Sequence, residues 1–182
     1  MSDPLRRTLK LHPAARLSAV TEIAVEITRP RPGDLLLRYV VTGKISDLRL
    51  PPVAAPARTD ELWQHTCFEA FLHAPPGTGY YEFNFAPSTQ WAAYRFTGYR
   101  TGMSVADKIG APRIEVKSSS TRFELHAAVE LPGSAGNAAW NLALSAVIEE
   151  LSGAKSYWAL AHPPGKPDFH HSDCFALSLP PA

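Results

Sequence analysis

The chain has 182 residues, with 18 Lys and Arg against 17 Asp and Glu and a formal charge of +1. That length fits one domain, residues 1–182, with a core large enough to bury about 70% of the unfolded surface. The near balance of charge argues against a broad nucleic-acid face, and no apolar run reaches the ~18–20 residues that a membrane-spanning helix needs.

From the N-terminus, Arg6, Arg7 and Lys10 form the one basic cluster and read as a solvated end. Ile23, Val25 and Ile27 then alternate with polar or small residues over 22–28, which predicts a strand with one wet face. Pro30 to Gly33 marks a turn, and a second strand follows over 35–42 with Leu35, Leu37, Tyr39 and Val41 facing inward. Pro51 to Ala57 reads as loop. Residues 57–64 are expected to make a turn or two of helix, with Thr59 or Asp60 as N-cap.

The next segments are apolar on both faces. Over 67–72, Phe68, Ala70 and Leu72 share one side and Cys67, Glu69 and Phe71 the other. A carboxylate between Cys67 and Phe71 requires a partner or a ligand; Arg95 or Arg100 would serve as the partner in an internal ion pair. After a Pro- and Gly-rich turn at 75–79, Tyr81, Phe83 and Phe85 read as core, whereas Tyr80, Glu82 and Asn84 share a face suited to hydrogen-bonding hydroxyls. A turn over 87–90 returns the chain to Trp91, which reads either as core packing or as a stacking platform.

Over 122–131, Phe123, Leu125, Ala127, Val129 and Leu131 form the inward set, with a turn at Pro132-Gly133. Residues 140–148 and 157–161 are again apolar on both faces. The loop 161–174 carries His162, Lys166, Asp168, His170, His171 and Asp173, and is the expected functional loop. Its spacing fits no standard zinc pattern, so no metal and no cofactor are expected. Cys67 and Cys174 are too few for a disulfide framework. The pattern predicts an all-β chain, an antiparallel β-sandwich of jelly-roll type with about ten or eleven strands and little helix.

Three motifs together resemble one family. They are Trp63 with Thr66-Cys67-Phe68-Glu69-Ala70-Phe71-Leu72, Tyr81-Glu82-Phe83-Asn84 with Trp91 and Tyr94, and Gly165 to His171. In this order they resemble the DOMON-like proteins related to family 9 carbohydrate-binding modules, over roughly residues 20–180. The resemblance implies a sandwich whose relatives bind sugars or haem. It implies that Trp63 stacks on a sugar ring, that Glu69 takes its hydroxyls, and that Asn84 adds a polar contact. Glu82 departs from that pattern, and Phe169, His170 and His171 stand where a second tryptophan is expected. The haem-binding relatives use an axial methionine; nothing marks Met1 or Met103 as such a ligand.

The resulting expectation is a non-catalytic module for a small sugar or sugar-like ligand. The expected contacts are Trp63, Glu69, Glu82, Asn84, Trp91, Arg100, His162, Lys166, Asp168, His170 and His171. The alternatives are a protein-interaction domain, with self-association left open, or a hydrolase using carboxylates and histidine. Nucleic acid and membrane are not expected as partners. The N-terminus carries no apolar leader pattern, which gives a cytoplasmic expectation.

Overall fold

The period-two patterns become two antiparallel sheets packed face to face. The computed structural model describes residues 4–15, 18–131 and 138–182; the expected Pro132-Gly133 turn lies outside them. In chain order the strands are β1 (Leu5–Leu11), β2 (Val20–Thr28), β3 (Asp34–Gly43), β4 (Cys67–His73), β5 (Tyr80–Phe85) and β6 (Trp91–Phe96). They continue as β7 (Ser104–Val105), β8 (Arg113–Ser118), β9 (Arg122–Glu130), β10 (Trp140–Glu149), β11 (Lys155–Ala159) and β12 (Leu177–Leu179). Among the described residues there is no α-helix and there are three 3-10 turns. No helix there is long and apolar enough to cross a membrane.

One sheet runs β1-β2-β3-β9-β8 and the other β7-β6-β5-β4-β10-β11, with β12 beside the start of β10. Strand β1 belongs to both. Its residues Leu5 to Leu9 pair with β2, and Lys10 and Leu11 pair with β11. The basic N-terminal cluster is therefore not a frayed end. Arg6 and Arg7 are exposed side chains of a strand that joins the sheets, and Arg6 reaches Glu22 at 3.4 Å.

The inward sets expected of β2, β3 and β9 fill the space between the sheets. Ile23, Val25, Leu35, Tyr39, Val41 and Leu125 are buried there with Phe68, Ala70 and Leu72 of β4. The outer face of the first sheet is wet, as alternation predicts: Arg38 pairs with Glu26 at 2.9 Å and with Glu124 at 3.0 Å. Gly33 completes the β2–β3 turn at φ 88°, where a Cβ would lie 2.8 Å from the Leu131 carbonyl oxygen, so the turn needs glycine.

The second sheet differs, because its outer face is largely covered too. Phe71, Ala92, Tyr94, Phe96, Ala143 and Val147 form a second cluster there with Phe169 and Cys174 of the C-terminal loop. This explains why β4, β5, β10 and β11 read as apolar on both faces. The loop covers only part of the sheet, and the uncovered part forms a cavity.

Candidate functional site

Cross-strand register builds the floor of that cavity. Ser145 of β10, Glu69 of β4, Asn84 of β5 and Ala92 of β6 form one row across the sheet. Ala143, Phe71, Glu82 and Tyr94 form the next row on the same face. Glu69 and Glu82 are thus diagonal neighbours, within reach of each other's charge. The cavity is about 800 Å³. Besides the two glutamates it is walled by Trp63, Tyr94, Phe96, Tyr157 and Phe169, with Arg100, Lys155 and His170 at its sides.

Trp63 reaches the cavity from the 3-10 turn Leu62–Gln64, just before β4. This turn is shorter than the sequence suggests, and neither Thr59 nor Asp60 caps it. Glu61 takes the N-cap position at φ 61°, while Asp60 accepts a hydrogen bond from the Tyr94 hydroxyl at 2.6 Å. Left-handed backbone at a non-glycine residue is costly and clusters at functional sites. Among the described residues Glu61, Thr89 and Arg100 show it, and Glu61 and Arg100 line this cavity.

Both glutamates are buried, at 3% and 6% exposure. Burial, and then the charge of Glu82, raises the Glu69 carboxyl well above the ordinary carboxylate range. Burial likewise raises Glu82 against the pull of Asn84 and Arg100. Ser145 Oγ donates to Glu69 Oε2 at 3.3 Å, and Asn84 Nδ2 donates to Glu82 Oε1 at 2.9 Å. On the same face of β4, burial keeps the Cys67 thiol protonated, and it donates to Asn84 Oδ1 at 3.6 Å.

His170 stands over this floor. Burial, with the nearby Arg100 charge, pushes its pKa down to about 4, so the ring is neutral at physiological pH. The Tyr80 oxygen accepts from the Arg100 backbone N–H at 3.3 Å, and its own proton is free for His170 Nδ1 at 2.8 Å. That accounting leaves the ring proton on Nε2, 3.7 Å from Glu82 Oε2. Asp168 fixes the other side, with Oδ1 accepting from Arg100 at 2.8 Å and from the His170 backbone at 3.1 Å.

The structure therefore brings together Trp63, Glu69, Glu82, Arg100 and His170, with Asn84 buried in the floor beside the two glutamates and Asp168 as a brace. Other residues named from the sequence lie elsewhere. Trp91 faces the inter-sheet core, 6% exposed, with the Arg58 guanidinium over its ring at 4.4 Å. His162 packs against His12 and holds the Lys10 carbonyl at 2.8 Å, and Lys166 is exposed outside the cavity. His171 caps the turn Ser172–Cys174 by accepting from the Asp173 N–H. Among the described residues Glu69 forms no ion pair with an arginine: it lies on the pocket face of β4, and Arg95 lies over Tyr81.

Tyr94, Phe96, Tyr157, Phe169 and Met103 complete the walls and were not singled out from the sequence as contacts. The β5–β6 hairpin held a signal for two of them, since Tyr94 pairs with Glu82 and Phe96 with Tyr80. Both cysteines are free and buried. Among the described residues no three His, Cys, Asp or Glu side chains converge in a way that would hold a metal ion.

No protein-family model and no curated protein matches this chain. Among solved structures it is similar to a candidate carbohydrate-binding protein from Bacteroides uniformis, with a TM-score of 0.61 and 16% identity. The match covers 84% of this chain and 75% of the other. At that identity the likeness is one of fold, and it supports the β-sandwich.

Proposed function

We propose that this chain is a non-catalytic module that holds a small sugar-like ligand in the pocket on the outer face of its second sheet. One observation carries the reading: Trp63, 52% exposed, stands at the mouth of a cavity floored by two buried carboxyls. An aromatic platform beside convergent hydrogen-bonding groups suits a polyol, whose ring has apolar faces and a polar edge. In this reading Trp63 stacks on the ring, while Glu69 and Glu82 accept from its hydroxyls and His170 Nε2–H donates. Arg100, braced by Asp168, closes the polar side.

Two further lines support it. The B. uniformis neighbour carries a carbohydrate-binding name, and the motifs around Trp63, Glu69 and Asn84 resemble those of family 9 carbohydrate-binding modules. The volume of about 800 Å³ falls in the range of ~300–1,000 Å³ common for small-molecule sites. Titration calorimetry with a panel of mono- and disaccharides tests the proposal. Saturable binding that Trp63→Ala weakens about ten- to thirtyfold is expected, and no heat from any sugar overturns it.

A hydrolase is the second reading, favoured by one observation. Burial raises both carboxyls, as a general acid requires. Release of reducing ends from a bound oligosaccharide, lost in Glu69→Gln, would transfer the assignment to that reading.

A further inference from the structure

The floor of the pocket holds two buried carboxyl groups, Glu69 and Glu82, to which the described residues supply no paired cation. Glu69 joins no ion pair among the described residues, and its hydrogen bond from Ser145 is long, at 3.3 Å. Glu82 has the Asn84 amide and a neutral imidazole rather than a cation. Asp60 and Glu61 add two more carboxylates to the wall.

The two cationic side chains of the lining are engaged elsewhere. The Arg100 guanidinium donates to Asp168 at 2.8 Å, and Lys155 Nζ donates to the Gln64 carbonyl at 2.5 Å. Arg100 is near enough to lower both glutamates but forms an ion pair with neither. Buried carboxylates without a counter-charge are costly, and the cost is removed when a cation reaches them. The aromatic walls, Trp63, Tyr94 and Tyr157 among them, favour a cation as well. Two carboxylates side by side supply the acceptors that the three N–H donors of an ammonium group need.

We propose that the ligand carries a primary ammonium group seated between Glu69 and Glu82. Within the sugar-binding reading, on which this rests, the pocket therefore selects an amino sugar over its neutral parent. An N-acetylated sugar, which has lost the charge, is rejected with the parent.

The test is titration calorimetry on the full chain at neutral pH. The probes are glucosamine, galactosamine and mannosamine, the parent hexoses, their N-acetyl forms, and putrescine as an amine without a ring. At least one amino sugar is expected to bind about tenfold or more tighter than its parent. In Glu69→Gln its affinity should fall by about thirtyfold or more, because one buried partner of a charge pair is lost. The preference over the parent then drops to about one. Glu82→Gln gives the same loss and serves if Glu69→Gln does not fold. Equal affinity for amino sugar and parent overturns this inference and leaves sugar binding standing. Putrescine binding as tightly as the amino sugars, with no neutral sugar binding, keeps the ammonium site and overturns the sugar reading. Absence of binding by every amine overturns the inference outright.

Discussion

The Tyr39 hydroxyl, on the inner face of β3, donates a 2.7 Å hydrogen bond to the backbone carbonyl of Glu69 on the facing sheet. Tyr39 is fully buried, and its ring lies 5.1 Å from that of Phe68. One side chain of the first sheet thus fixes the strand that presents the pocket acid on the second. Tyr39→Phe keeps the ring and removes the bond. It should cost about 1 kcal/mol in urea unfolding. An unchanged unfolding midpoint would show that the bond adds nothing net to the junction.

Glu69→Gln should make the protein more stable at neutral pH. The folded-state pKa of Glu69 lies above its unfolded value, chiefly through burial and then through Glu82. Its favourable contribution is therefore full below the ordinary carboxylate pKa and is lost as pH rises through the raised value. At pH 7 the folded protein keeps a group that resists ionisation, whereas the unfolded chain ionises it freely. The glutamine variant is relieved of that penalty. A gain on the order of 1 kcal/mol is expected, raising Tm by about 2–4 °C for a chain of this size. The advantage should shrink as the pH falls toward 4.5. A variant less stable at pH 7 would show that the carboxylate is compensated inside the protein after all.

Glu124 on the wet face of the first sheet has the opposite sign. Partial burial pushes its pKa up, but hydrogen bonds from Arg38 and His126 and the charge of Arg122 outweigh this and bring it down to about 2. Its contribution is present above the ordinary carboxylate pKa and is lost as pH falls toward that lowered value. Glu124→Gln should cost about 1 kcal/mol at pH 7, near the upper end for pairs of this exposure. Denaturant melts of the two proteins should converge near pH 2. A constant difference down to that pH would mean that packing, not charge, makes Glu124 matter.

These residues also show how far the sequence could be read. The inward sets of β2, β3 and β9 were legible because one wet face leaves strict alternation, with Ile23, Tyr39 and Leu125 always on the same parity. Glu69 was legible for the opposite reason, as a lone acid in a strand otherwise apolar on both faces. Trp91 was not, because alternation sorts residues into two faces without saying which face is which. The hairpin decides it: a five-residue connection pairs Phe85 with Trp91, which sends the tryptophan inward and Tyr94 and Phe96 to the pocket. In the C-terminal loop no period exists to read. The composition of residues 161–174 marked His162, Lys166 and His170 alike, and only tertiary packing brings His170 alone of these three into the pocket.

That difference between the two tryptophans gives the sharpest check on the site. Trp63 is half exposed in the middle of a short turn, so Trp63→Ala should leave stability within about 0.5 kcal/mol of the parent. Ligand affinity should nevertheless fall about ten- to thirtyfold, the usual loss when an aromatic anchor is truncated. Trp91→Ala should behave in reverse. It removes a buried core ring and the platform under Arg58, at about 3–5 kcal/mol of stability. Below its lowered melting temperature the folded fraction should bind with unchanged affinity, since the ring never faced the ligand. Paired melts and titrations separate the two cases. Loss of affinity in Trp91→Ala with none in Trp63→Ala would move the binding site away from this face of the second sheet.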